Sequence, residues 1–301
     1  MKPHPEQPRK KAASTFKTLR LRLQGLVRRR TAEPFAPSVK AAATPESRMR
    51  EGFERGAFQL FYQSKHTRAG QVLGAEALMR WFPPDQPPIP PAEFIPLAEA
   101  TGFILTLGQW LIQTACRQLA QWERDSRFAH LQLAINVSAL QFHHPDFVEQ
   151  LAWALRESGT NANRLKLELT EDAVLKNPDL VMSRMEQIKA LGVQFSLDDF
   201  GTGTSSLSEL KRLRFDEIKI DRSFVRDLPG NLDDAALVTA TLKASQLLGM
   251  QVCAEGVEHK AQADFLRASE CELYQGHLFS RPLALKEFEA QVELSLSLIH
   301  I

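Results

Sequence analysis

The chain has 301 residues, of which 44% are apolar and 24% charged, and a net charge of +1; these values exclude a wholly disordered chain, a collagen-like fibre and a multi-span membrane protein. Its length fits one large domain or two small ones. The three cysteines lie far apart, at Cys116, Cys253 and Cys271. The sequence therefore predicts neither a disulfide framework nor a CxxC metal site, and it favours a reducing compartment.

The first 40 residues form a strongly basic arm. They contain eleven lysines and arginines and two acidic residues, so the arm carries +9 and the rest of the chain −8. Apolar residues recur along it at helical spacing, namely Phe16, Leu19, Leu23, Leu26 and Val27. The pattern indicates either a helix that binds a membrane surface or a partner, or a solvated, weakly helical tail. Together with an Ala- and Pro-rich linker, residues 1–45 are predicted to be a flexible or partly helical segment.

From about residue 46, short apolar segments alternate with amphipathic helices. The eight predicted strands are Gln59–Gln63, Val72–Leu78, Leu131–Val137, Leu165–Leu169, Gln194–Asp198, Glu217–Asp221, Gln251–Glu255 and Glu272–Gln275. The predicted helices include Gln109–Trp122, Leu180–Leu191 and Asp234–Leu248, and a proline-rich loop covers 83–91. This alternation predicts an α/β fold, a TIM-like (β/α)8 barrel over 46–295 with a short tail at 296–301. An open, doubly wound sheet is the competing topology.

Polar side chains occur near the C-terminal ends of most predicted strands, where barrel enzymes place their chemistry. They are Glu76, Asn136, Glu168, Glu171, Asp198, Asp199, Lys219, Glu255 and Gln275. Helix capping explains one or two such residues, but buried carboxylates in this number need a partner, and a cation is the simplest one. Oxygen ligands without a Cys/His cluster favour Mg²⁺, Mn²⁺ or Ca²⁺ over zinc.

The spacing of these residues is compatible with two ions. Glu76, Asn136, Glu168 and Asp198 could converge on one ion, and Asp199 could reach a second if the chain turns at the glycines that follow it, Gly201 and Gly203. Paired ions are typical of phosphoryl transfer, because they stabilise both the attacking and the leaving oxygen. Lys219 could then hold the attacking water or neutralise a phosphate oxygen.

Seven short motifs resemble the EAL family of cyclic-di-GMP phosphodiesterases. They are EALMRW at 76–81, NVS at 136–138, ELTE at 168–171, DDFGTG at 198–203, KID at 219–221, AEGVE at 254–258 and QG at 275–276. They occur in the family's order over about residues 46–290. The resemblance implies a barrel whose first strand is antiparallel to its neighbours. It also implies metal-dependent hydrolysis of one phosphodiester bond of cyclic di-GMP, a bacterial second messenger, to linear pGpG.

The resemblance also implies a role for each matching residue. Glu76, Asn136, Glu168 and Asp198 would bind one Mg²⁺ or Mn²⁺ ion, and Asp198, Asp199 and Glu255 a second. Glu255 and Lys219 would orient and help deprotonate the attacking water, and Glu171 would support the loop after Asp199 without touching a metal. Gln63, Leu78, Arg80 and Gln275 would contact the substrate. The alternative is a catalytically silent receptor that binds cyclic di-GMP without cutting it.

Four positions depart from the family's pattern, including Glu270, which replaces a glycine before the last strand. Ser64 and Lys65 replace a Pro-Ile pair on the first strand, and Thr204 replaces a tyrosine in the loop after Asp199. None of these changes removes an implied metal ligand.

By resemblance, a homodimer is also expected. We expect a cytoplasmic protein that the arm could bring to the inner-membrane surface or to an acidic partner, and we do not expect sequence-specific DNA binding.

Overall fold

The structure, a computed structural model, describes residues 44–84, 86–175, 177–201 and 212–299. The predicted arm and linker lie outside these ranges, apart from Thr44 and Pro45. Gly203 and Thr204 also lie outside the described residues. None of the helices in the described ranges is long and apolar enough to cross a bilayer.

Eight strands form a closed barrel, as predicted. The strands are β1 Phe58–Thr67, β2 Val72–Trp81, β3 Gln132–Asn136, β4 Leu165–Thr170, β5 Gln194–Phe200, β6 Glu217–Ile220, β7 Gln251–Ala254 and β8 Leu273–Tyr274. Strands β2 to β8 are joined in chain order by parallel pairings. Strand β1 closes the ring through antiparallel pairings with both β2 and β8. This confirms the expected barrel and the expected direction of its first strand, and it eliminates the open sheet.

Helices follow most of the strands and pack outside the barrel. In chain order they are α1 Pro45–Glu54, α2 Pro91–Ala100, α3 Ile104–Trp122, α4 Ala139–Phe142, α5 Phe147–Ser158, α6 Glu171–Leu175, α7 Pro178–Ala190, α8 Arg222–Val225, α9 Leu232–Leu247, α10 Lys260–Ala268 and α11 Leu285–Ile299. On α3, Leu107, Leu111, Ala115 and Leu119 recur at the spacing of one helix face, and all are buried. The last helix reaches Ile299 and so includes most of the segment that was predicted to be a tail.

A ninth strand was not predicted. Strand β9, Leu283–Ala284, pairs antiparallel with Phe61 and Tyr62 of β1 and lies outside the ring. With only two residues, it has no alternation from which a strand could be identified in the sequence.

Alternate residues along a strand lie in two different environments, the hydrophobic core under the helices and the interior of the barrel. On β4, Leu165, Leu167 and Leu169 are buried in the hydrophobic core between the strands and the helices. The residues between them, Lys166 and Glu168, contact side chains of β6 and β1, which are not neighbours of β4 in the ring. Successive strand residues point to opposite faces, so the second set lies inside the barrel. The interior is therefore polar and carries the candidate site.

Candidate metal centre

A buried ammonium group occupies the middle of the predicted site. The Nζ atom of Lys219 lies 3.3 Å from Glu76 Oε2, 2.9 Å from Glu168 Oε2, 3.1 Å from Asp198 Oδ1 and 2.7 Å from Glu255 Oε1. These carboxylates come from β2, β4, β5 and the residue after β7. Side chains that are distant in sequence thus surround one position large enough for a cation, and we call these four residues with Lys219 the upper cluster.

Glu76 is held by two amide side chains. Asn136 donates from Nδ2 to Glu76 Oε1 at 2.6 Å, and Gln275 donates from Nε2 to Glu76 Oε2 at 2.8 Å. The Nε2 atom of Gln275 also lies 3.2 Å from Gln63 Oε1, and Gln63 donates to the backbone oxygen of Ser280 at 3.2 Å. The predicted ligand Asn136 and the predicted substrate contact Gln275 therefore meet at the Glu76 carboxylate, and the predicted substrate contact Gln63 adjoins Gln275.

Asp199 reaches the upper cluster through an unusual backbone angle. Its φ is 55°, in the left-handed region that aspartate tolerates better than most residues. The strand pairing shifts register between Leu197 and Phe200, and the Asp199 amide donates to Asp198 Oδ1 at 3.1 Å. Carboxylate oxygens of Asp198, Asp199 and Glu255 lie within 4.8 Å of one another. The sequence predicted a turn at the glycines that follow Asp199, whereas the structure shows that the chain already turns at Asp199 itself.

The donor set fits divalent cations that prefer oxygen. Six oxygen-bearing side chains of the kind that bind Mg²⁺ and Mn²⁺ converge here, namely Glu76, Asn136, Glu168, Asp198, Asp199 and Glu255. Five of them are carboxylates, and within the cluster Lys219 alone carries a positive charge. The site therefore has negative charge that a bound cation would balance.

The pKa values of the carboxyl groups reflect both their burial and this excess of negative charge. Burial, together with the charges of Asp198 and Glu76, raises the pKa of Glu255 to about 8, although Lys219 opposes the shift. Burial and the charge of Asp198 raise the pKa of Asp199. Burial would also raise the pKa of Glu76, but Lys219, Lys65 and the hydrogen bond from Gln275 together outweigh it, and the pKa of Glu76 lies below its usual value. One ammonium group thus only partly offsets the burial and mutual repulsion of these carboxylates.

A cavity of about 440 Å³ lies beside the cluster, and Leu78, Asn136 and Glu168 line it. This volume is in the range of small-ligand sites.

Arg80 lies two residues after Leu78 on the same strand. It is partly buried, donates from Nη1 to the Met79 oxygen at 3.0 Å and lies 6.0 Å from the centre of the Phe61 ring. Glu171 is buried at the first turn of α6. Its predicted support of the loop after Asp199 stays a prediction, because residues 202–211 are not described.

The family model of the EAL domain matches residues 46–282. The chain belongs to the EAL domain family. Among curated relatives, it is 41% identical over 245 residues to the bifunctional diguanylate cyclase/cyclic di-GMP phosphodiesterase MucR of Pseudomonas aeruginosa, covering 81% of this chain and 36% of that protein. It is 39% identical over 244 residues to the cyclic di-GMP phosphodiesterase PdeR of Escherichia coli, covering 81% and 37%.

Solved structures that are similar to this chain are also EAL-domain proteins. The PaMucR phosphodiesterase in complex with c-di-GMP superposes with a TM-score of 0.77 at 41% identity, covering 80% of this chain and 97% of that one. The EAL enzyme Bd1971, with cAMP and cyclic di-GMP bound, has a TM-score of 0.77 at 31% identity, covering 82% and 68%. The chain spans about a third of the length of the curated relatives that it matches.

A second set of buried, mostly charged residues inside this EAL barrel was not predicted from the sequence. Lys65, which was noted only as a departure from the family, lies 2.7 Å from Glu168 Oε1 and 3.0 Å from Glu217 Oε1. Lys166 lies 2.6 Å from Glu217 Oε2, and Ser196 donates to Glu217 Oε1 at 3.0 Å. We call Lys65, Lys166, Ser196 and Glu217 the lower cluster. The sequence could have indicated this cluster. Lys166 lies two residues before Glu168, and Glu217 lies two residues before Lys219. Residues two apart on a strand share a face, so both point into the barrel.

Proposed function

We propose that this EAL domain hydrolyses one phosphodiester bond of cyclic di-GMP to linear pGpG, with Mg²⁺ or Mn²⁺ as cofactor. The observation that carries the proposal is the upper cluster, in which carboxylates from three strands and from the residue after β7 surround the Lys219 ammonium group inside the barrel, next to a ligand-sized cavity. The names of the relatives MucR and PdeR, and the bound dinucleotide in the PaMucR structure, support the substrate.

The proposal assigns the acidic residues to two ions. Glu76, Asn136, Glu168 and Asp198 would hold one ion, and Asp198, Asp199 and Glu255 the second. When bound, such ions supply positive charge to the attacking and leaving oxygens of a phosphodiester. The short separations among the oxygens of Asp198, Asp199 and Glu255 support the shared role of Asp198.

Lys219 and Glu255 are proposed to act on the attacking water. Their side chains form an ion pair of 2.7 Å, and Lys219 is 1% exposed. An ammonium group donates hydrogen bonds and a carboxylate accepts a proton, so the pair can orient a water molecule and help to remove its proton. Burial keeps bulk water away from the pair and so strengthens its electrostatic effect.

Four residues are proposed to hold the dinucleotide. Arg80 has a planar guanidinium that fits two phosphate oxygens at once. Gln275 has a buried side-chain oxygen without a hydrogen-bond partner among the described residues, and a donor on a ligand would satisfy it. Leu78 lines the cavity, and Gln63 contacts Gln275.

The test is product identification. The purified protein is incubated with cyclic di-GMP and Mg²⁺ or Mn²⁺, or with a chelator, and the nucleotides are separated by ion-exchange chromatography. We expect pGpG with either metal and none with the chelator. Calorimetry that shows tight binding without product over hours would instead identify the protein as a cyclic-di-GMP receptor.

Two further proposals concern partners. The basic arm, which lies outside the described residues, is proposed to bind an anionic membrane surface or an acidic partner, because its +9 charge attracts such surfaces. Deleting residues 1–40 should then release the protein from the membrane fraction of cells, and an unchanged distribution would refute the proposal. A homodimer is proposed from family resemblance, and light scattering of the purified protein tests it.

A further inference from the structure

The lower cluster is joined to the proposed metal centre through one lysine. The Nζ atom of Lys65 lies between Glu168 and Glu217, and Lys166 binds the other oxygen of Glu217. Lys65, Lys166, Ser196 and Glu217 are all at most 5% exposed. Apolar side chains usually fill the interior of such barrels. A buried charged chain here leads from Lys166 through Glu217 and Lys65 to Glu168.

Lys65 contacts the oxygen of Glu168 that does not contact Lys219. Glu168 Oε1 binds Lys65 at 2.7 Å, whereas Oε2 binds Lys219 at 2.9 Å. On β1, Gln63 is paired with Glu76, and Lys65 is paired with Gly74, two residues before Glu76 along β2. Lys65 therefore approaches Glu168 from the layer below, and Glu168 Oε1 faces the lower cluster.

This arrangement engages Glu168 Oε1 outside the upper cluster, so Oε2, which faces Lys219, is the oxygen with which Glu168 can bind a cation there. Mg²⁺ takes six ligands in a nearly ideal octahedron and accepts single carboxylate oxygens, whereas Ca²⁺ takes six to eight and often binds both oxygens of one carboxylate. We propose that Lys65 is a positioning residue that makes the centre prefer Mg²⁺ to Ca²⁺, by holding Glu168 in a form that offers one oxygen. The inference rests on the proposed metal dependence of the enzyme.

The experiment measures the affinities for Mg²⁺ and Ca²⁺ by calorimetry without substrate, for the full chain and for Lys65→Met. Both ions carry the same charge, so the loss of the lysine charge alters both affinities alike, and only their ratio reports on coordination. We expect the preference for Mg²⁺ to fall by about tenfold or more, as is typical when an outer partner of a metal ligand is lost. An unchanged ratio overturns the inference.

Lys166→Met is the matched control. It removes the same charge from the same network, but Lys166 binds Glu217 and leaves the contact between Lys65 and Glu168 in place. The control should shift both affinities without changing their ratio, and a change equal to that of Lys65→Met overturns the inference. If the unaltered protein binds neither ion, the proposed function fails together with the inference.

A crystal of the unaltered protein with Mn²⁺ provides a measurement that does not depend on the folding of a variant. Anomalous density should lie next to Glu168 Oε2, with Oε1 still bound to Lys65. A Glu168 that binds the ion through both oxygens, or through Oε1, refutes the role of Lys65 while leaving the proposed hydrolysis intact.

Discussion

Lys219 on β6 and Glu168 on β4 form an ion pair of 2.9 Å across the interior of the barrel, over the strand that separates them in the ring. The same ammonium group contacts carboxylates from β2, β5 and the end of β7. Lys219 is therefore the shared counter-charge of acidic residues that would otherwise repel one another.

Replacing Lys219 should make the fold depend on divalent cations. In Lys219→Met, the buried carboxylates lose their common partner, and the free energy of unfolding without metal should fall by about 3–5 kcal/mol. A bound ion would replace the lost charge, so saturating Mg²⁺ should stabilise the variant more than the unaltered protein. Urea unfolding with Mg²⁺ and with a chelator measures both values.

The control for this prediction is Lys243→Met, which removes a lysine from an exposed pair with Glu270. Such a change should alter the free energy of unfolding by less than about 0.5 kcal/mol, with or without metal. If Mg²⁺ stabilises Lys219→Met no more than it stabilises the control, Lys219 is not the counter-charge of a metal site.

Glu76 should be essential for turnover. Its carboxylate contacts Lys219, Asn136 and Gln275. Glu76→Gln keeps the size of the side chain but removes its charge, and Glu76→Ala removes the side chain. Loss of a metal-bound charge costs several kcal/mol of transition-state stabilisation, so kcat should fall at least about a hundredfold in both variants. Glu149→Gln, on the exposed side of α5, should retain full activity, and persistent turnover of Glu76→Ala would refute the assignment.

Most of the barrel could be predicted because its strands are short apolar runs with polar residues at their ends. The alternation of Leu165, Leu167 and Leu169 with Lys166 and Glu168 gives both the strand and its two faces. The proposed ligands were predicted because each lies near the end of a predicted strand and in a motif that resembles the family. The order of the motifs along the chain and the types of their side chains were sufficient for these predictions.

Contacts across the barrel could not be predicted. The sequence shows that Lys65 differs from the family, but not that it meets Glu168 and Glu217, because no local pattern records which inward side chains of distant strands touch. The backbone angle of Asp199 was missed for a related reason. Glycines signal a turn in a sequence, whereas an aspartate in the left-handed region is held there by its surroundings.

Glu217 should make stability depend on acid pH. Burial raises the pKa of its carboxyl group, but Lys65 and Lys166 together outweigh burial, and the pKa in the folded state lies well below the ordinary value of 4.5. A depressed pKa contributes stability that is complete above the unfolded-state value and is lost as the pH falls below about 4.5. The advantage of the unaltered protein over Glu217→Gln should therefore shrink by about 1.4 kcal/mol per pH unit in that range.

Urea unfolding at pH 7, 4 and 3 measures this effect. At pH 7, Glu217→Gln should be less stable by about 3–5 kcal/mol, because Lys65 and Lys166 lose their shared carboxylate. Below pH 4.5, the two proteins should converge. A difference that stays constant from pH 7 to pH 3 would show that the Glu217 carboxyl has the same pKa in the folded and unfolded states.

Gly276 should be intolerant of any side chain, because the backbone of Val257 lies against it. A Cβ atom at this position would lie 2.2 Å from the backbone oxygen and 2.3 Å from the backbone nitrogen of Val257. Backbone atoms cannot move aside as a flexible side chain can, so Gly276→Ala should lower the free energy of unfolding by about 1–3 kcal/mol. The strain would also displace Gln275 from Glu76, and KM for cyclic di-GMP should rise. Gly230→Ala, whose added Cβ would meet one backbone oxygen at 3.5 Å, should change neither quantity; equal effects of the two substitutions would contradict a specific role for Gly276.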